Sequence, residues 1–87
     1  LARFAATGGH TVRCDGHDFA DIARALAEAE ADPRPSLVAC KTVIGKGAPK
    51  KQGTEGCHGA PLGADEIDGV RAAMSWGHAP FDIPDDV

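Results

Sequence analysis

The stretch PSLVACKTVIG, Pro35 to Gly45, decides how this 87-residue chain is read. Leu37 to Cys40 form an unbroken apolar run, and Thr42-Val43-Ile44 extend it with β-branched residues. A strand apolar on both faces suits the interior of a parallel sheet covered by helices. Ser36 to Thr42 is therefore expected as an interior strand.

Toward the N-terminus, Asp32-Pro33 breaks whatever precedes the strand. Before the break, Phe19, Ile22, Ala23, Leu26 and Ala27 recur at helical spacing, which predicts an amphipathic helix over residues 19–31. Its other face carries Arg24, Glu28 and Glu30. Asp18 is placed to cap that helix, and Asp21 is favourable to its dipole. DGHD, Asp15 to Asp18, reads as a turn, and HTVRC, His10 to Cys14, as a short strand. Strand, helix and strand make a βαβ unit, for which a parallel pair with a right-handed crossover is the default. LARFAATGG reads as the tail of a helix stopped by Gly8-Gly9.

Toward the C-terminus the chain enters KGAPKKQGTEGCHGAPLG, Lys46 to Gly63. Glycines and prolines punctuate it, and no apolar period runs through it. Loops beyond about 12–15 residues without structure of their own are uncommon and usually functional or disordered. This one begins at the carboxyl end of the apolar strand, the edge where open α/β sheets bind ligands. Ala64-Asp65-Glu66 then opens a second helix, with Ile67, Val70, Arg71 and Met74 along it, expected to finish near Trp76-Gly77. APFDIPDDV reads as an extended, proline-marked linker. Both ends have the look of cuts through a larger protein.

The totals narrow the function classes. A formal net charge of −4 disfavours nucleic-acid binding, which wants a basic face. No apolar run is long enough to span a membrane. A chain of this length buries only about 60–65% of its unfolded surface, so an isolated core is marginal. Cys14, Cys40 and Cys57 make no C-x-x-C pair and read as free thiols of a reducing cytoplasm.

Several short patterns invite a chemical reading. IGKG, with Gly45 and Gly47, resembles the start of a dinucleotide fingerprint, but Lys50 stands where a third glycine belongs. DGHD offers carboxylates and a histidine, yet contiguous residues rarely converge on a metal, and a turn followed by an N-cap is favoured. Lys46, Lys50 and Lys51 read as solvating the loop rather than holding a phosphate. His10 and His78 suggest nothing. His58 stands between Cys57 and Gly59, where a glycine lets another group approach closely and an imidazole can donate to an anion or exchange a proton. On context alone an ordinary loop histidine is the better reading.

DGHD, PSLVACKTVIGKGAP, GTEGCHGAPLG and APFDIP, in this order, closely resemble transketolase over almost the whole chain. HGAPLG after KTVIGKG is the specific part. The resemblance implies the second half of a thiamine-diphosphate-binding domain over residues 1–77 and the start of an interdomain linker over 78–87. The implied fold class is α/β, a parallel-sheet domain whose βαβ unit is followed by a long active-site loop and a helix. The implied activity is transfer of a two-carbon ketol unit from a ketose phosphate to an aldose phosphate. The implied cofactors are thiamine diphosphate and a divalent metal, magnesium or calcium, whose ligands fall outside this segment. The implied assembly is a cytoplasmic homodimer. By resemblance, His58 reaches the diphosphate and the substrate hydroxyls and serves catalysis, and Ile44 lies near the thiazolium ring. The metal-binding segment, the glutamate that activates the cofactor and the residues that grip sugar phosphate are absent here. Dihydroxyacetone synthase is a close alternative. Deoxyxylulose-phosphate synthase shares DGHD but not the HGAPLG ending. A non-catalytic segment or dimer-interaction module is the alternative from another class.

Overall fold

The structure, a computed structural model, describes residues 1–86. The chain forms two compact units, residues 1–42 and residues 43–87.

The first unit is the βαβ unit expected from the sequence. Strands β1 (His10–Asp15) and β2 (Ser36–Lys41) pair in parallel, with His10 opposite Ser36 and Asp15 opposite Lys41. Helix α2 (Phe19–Ala31) connects them, and a short helix α1 (Ala2–Ala6) precedes them. Helix α1 stops where expected. The Gly8 and Gly9 amides return to the Ala5 and Phe4 carbonyls, with Gly8 at φ 88, the Schellman arrangement.

DGHD is a turn and a cap. The Asp18 carboxylate accepts from the amides of Ala20 (2.9 Å) and Asp21 (3.3 Å). The Asp15 carboxylate accepts from the His17 amide at 2.9 Å. The Gly16 amide donates to Lys41 at 2.8 Å and ties the turn to the end of β2. Asp21 does more than favour the dipole. It accepts from the Asp15 amide at 2.7 Å and from Arg24 Nε at 2.7 Å. The backbone amide and then the guanidinium hold its carboxyl below the usual carboxylate range. Arg24 also reaches the Arg13 carbonyl at 2.9 Å, fastening α2 to β1.

Val12, Cys14 and Ala25 are buried, with Ile22 and Val38 packed against them. The face of α2 that meets the sheet is therefore only partly the face expected: Ile22 packs there, but Phe19 and Leu26 do not. Ala25 is fully buried, while Phe19 is 89% exposed and Leu26 is 51% exposed. The helix lies on one of its alanines, because an alanine lets the backbone approach the sheet closely. Nor is β2 interior among the described residues. Its one neighbour is β1, α2 covers one face, and Leu37 on the other is half-exposed.

The second unit contains the long loop, a single 3₁₀ turn (Glu55–Cys57) within it, and helix α3 (Ala64–Ala73). Helix α3 ends before Trp76-Gly77. Ser75 takes the left-handed position at φ 55, and the amides of Ser75 and Trp76 return to Ala72 and Arg71. The glycine stands two residues too late to make that turn. The linker expected over 78–87 is not simply extended. The Asp82 amide donates to Ala79 at 3.1 Å, closing a β-turn over Pro80-Phe81 with Phe81 at φ 64. Its last residue, Val87, lies outside the described residues.

Candidate active-site loop

The loop has no apolar core of its own, and polar groups hold it. The Gly53 amide donates to the Ile44 carbonyl at 2.8 Å, closing residues 44–53 into a compact turn. Inside that turn the Gly47 amide donates to Gln52 Oε1 at 2.7 Å, and Ala48 is buried. Thr54 Oγ1 donates to the Lys51 carbonyl at 2.9 Å. The same oxygen accepts from the Gly56 amide at 3.3 Å, which starts the 3₁₀ turn.

Helix α3 braces this structure through Glu66. The amides of Lys50 and Lys51 both donate to Glu66 Oε2 at 3.1 Å, and Glu66 is only 7% exposed. Lys51 Nζ donates to the carbonyls of Leu62 (2.9 Å) and Pro61 (3.3 Å). The reading of this lysine as solvating the loop is thus corrected: it clasps one end of the loop to the other. Pro49 lies against Gly69, where a Cβ would collide with its ring. A Cβ on Gly47 would meet Met74 and Val70 at 3.5 Å and 3.7 Å. The packing face of α3 is therefore Glu66, Gly69 and Val70, while Ile67 is 48% exposed and Met74 is 60% exposed. Sequence reading placed Glu66 only at the opening of a helix and missed its role, because apolar periodicity carries no signal for a helix that braces backbone amides.

One contact brings the two candidate residues' neighbours together. Gly45 follows Ile44, Cys57 precedes His58, and a Cβ built on Gly45 would sit 2.9 Å from Cys57 Sγ. Gly45 also has φ 62, so this position needs glycine for both its backbone and its space. The Cys57 thiol lies within hydrogen-bonding distance of the carbonyls of Thr54 (3.3 Å) and Lys51 (3.4 Å). His58 then caps the 3₁₀ turn, its amide donating to Glu55 at 2.9 Å. Its side chain is exposed and makes no hydrogen bond or ion pair among the described residues. Ile44 is 45% exposed. Gly59, at φ 82, leaves open space beside the histidine. An exposed cleft of about 310 Å³ lies elsewhere in the unit, at the start of α3, and is lined by Lys50, Leu62, Asp65 and Glu66. Its two carboxylates suit an anion poorly, and neither His58 nor Ile44 lines it.

The family model described as "Transketolase, thiamine diphosphate binding domain" matches residues 1–87. The chain belongs to the transketolase family. A transketolase of Cereibacter sphaeroides is 56% identical over 86 residues, which are 99% of this chain and 13% of that protein. Transketolase 1 of Aliivibrio fischeri is 56% identical over 98% of this chain and 13% of its own length. The crystal structure of transketolase from Campylobacter jejuni superposes with a TM-score of 0.89 at 34% identity, covering 98% of this chain and 14% of that one. The chain thus spans about an eighth of the transketolases it matches and is a segment of the thiamine diphosphate binding domain. The α/β reading from the sequence agrees with this transketolase likeness.

Proposed function

We propose that residues 43–63 form one wall of a thiamine diphosphate site, with His58 as its polar contact and Ile44 as its apolar one. The observation that carries the reading is the contrast within the loop. Lys51, Gln52, Thr54, Cys57 and Glu66 spend their polar groups holding it together, while the His58 imidazole, like the Lys46 and Lys50 ammonium groups, stays exposed and uncommitted among the described residues. The Gly45–Cys57 contact holds the chain beside Ile44 against the chain beside His58. An imidazole donor and an apolar side chain fit a cofactor with an anionic end and an aromatic ring.

In the intact enzyme the loop serves transfer of a two-carbon ketol unit between sugar phosphates. Thiamine diphosphate supplies the electron sink when bound. His58 would hold the diphosphate or a substrate hydroxyl through a ring N–H and could move a proton at one ring nitrogen. Ile44 would offer apolar contact to the ring. Residues outside this segment would hold the divalent metal, magnesium or calcium. We assign residues 1–77 to the second half of the binding domain and 78–87 to the linker that follows. The reading includes a cytoplasmic homodimer.

The test is His58→Ala in the intact enzyme. Turnover should fall about 10²–10⁴-fold, the usual contribution of a positioned proton-transfer group. Thermal stability should barely move, since an exposed loop side chain contributes little burial. Full turnover at saturating cofactor would leave His58 as an anchor only and remove its catalytic role.

A further inference from the structure

Cys14 and Cys40 are directly opposite across the β1–β2 ladder, on one face of the sheet, with their sulfurs 3.5 Å apart. Both are free thiols. Cys14 is buried in the core against Ala25, and Cys40 is exposed. We infer that they form a reversible redox site, oxidised to a cross-strand disulfide by a peroxide-class oxidant.

Backbone spacing permits the bond. Neighbouring strands lie ~4.8 Å apart, inside the Cα separation that disulfides span, about 4.4–6.8 Å. In-register partners point to the same face, so rotation about the Cα–Cβ bonds brings the sulfurs together. Cys40 is exposed, and exposed disulfides are the labile, reversible kind.

The asymmetry of the pair sets the order of events. Burial, and then the neighbouring Cys40 thiol, push the Cys14 thiol above its ordinary pKa, so Cys14 stays protonated and unreactive on its own. The exposed Cys40 sulfur meets the peroxide and attacks one oxygen. The O–O bond breaks, and the departing hydroxide leaves as water with the thiol proton, giving a sulfenic acid at Cys40. The Cys14 sulfur then attacks the Cys40 sulfur. The S–O bond breaks, and the second oxygen leaves as water with the Cys14 proton. Two thiols have lost two electrons and two protons to one peroxide, yielding one disulfide and two waters. Cys57, whose thiol faces the Lys51 and Thr54 carbonyls, takes no part.

The experiment is hydrogen peroxide treatment of the intact folded protein, then alkylation of the remaining thiols, trypsin digestion and mass spectrometry. Cleavage after Arg13, Arg24, Lys41 and Lys51 puts each cysteine on its own peptide. The expected product is a linked pair of the Cys14 and Cys40 peptides, with both thiols lost in equal proportion, restored by dithiothreitol, and Cys57 still alkylated. A Cys14→Ser variant should stop at the sulfenic acid and give several-fold more dimedone adduct at Cys40 than the wild type. Should that variant fail to fold, the wild-type peptide map decides alone. Peroxide uptake without the Cys14–Cys40 pair, linkage through Cys57 or between molecules, or no loss of the two thiols overturns the proposal. None of these readouts depends on catalytic activity.

Discussion

His58 and Glu66 occupy the same unit and do opposite things: one leaves its side chain exposed, the other buries it under two backbone amides. Glu66→Ala should therefore cost stability rather than chemistry. It removes the acceptor of the Lys50 and Lys51 amides, and a lost partner of this kind costs about 1–3 kcal/mol. Glu66→Gln keeps an acceptor oxygen and should recover much of that, which a comparison of denaturant midpoints checks. The acids of the first unit predict a pH dependence. Asp32 is held well below the usual carboxylate range, chiefly by the Arg34 guanidinium (2.7 Å and 2.8 Å) and then by the Arg34 amide. Asp21 is lowered in the same direction. A depressed folded pKa means that protons bind the unfolded chain first as pH falls. The stabilisation is whole well above the ordinary value of 3.8 and is lost progressively as pH falls through it. The denaturant midpoint should hold steady from neutral pH to about 5 and then fall, less steeply in Asp32→Asn. An acid limb of the same steepness in that variant would remove Asp32 from the account.

Each element shows where local rules and packing agree. Helix α2 starts at Asp18, and the strands pair in parallel, because capping and the apolar run point the same way. Helix α3 shows the reverse. Its stop is a serine in the left-handed region, a conformation that costs an ordinary residue roughly 1–2 kcal/mol. Ser75→Gly should stabilise the second unit by up to about 1 kcal/mol, the strain relief less the entropy glycine brings. An unchanged melting temperature in that variant would mean that Ser75 carries no such strain. Gly69→Ala should act oppositely. The Pro49 ring occupies the space its methyl needs, and overpacking costs typically about 1–3 kcal/mol. On propensity alone the same change would favour the helix, so the sign of the measured effect separates close packing from local preference.

The isolated 87-residue chain has a small core and one wall of the site it is proposed to serve. Calorimetric titration with thiamine diphosphate and magnesium should show no tight binding, because the metal ligands and the opposite wall of the site lie outside these residues and most of the diphosphate's charge would stay uncompensated. Micromolar affinity would place the site elsewhere. The βαβ unit, the Gly8-Gly9 stop, the Asp18 cap and the family were all legible in the sequence, since caps, turn residues and apolar runs act through near neighbours in the chain. The roles of His58 and Ile44 came from resemblance; context singled out His58 but favoured an ordinary loop histidine, and spacing marked neither. Tertiary structure alone decided that α2 lies on Ala25 rather than on Phe19 and Leu26. It alone turned Lys51 and Glu66 into braces of the loop, closed Gly45 on Cys57, and set Cys14 beside Cys40. Those outcomes depend on backbone groups and small residues meeting across long stretches of chain, and neither leaves a periodic trace in a sequence.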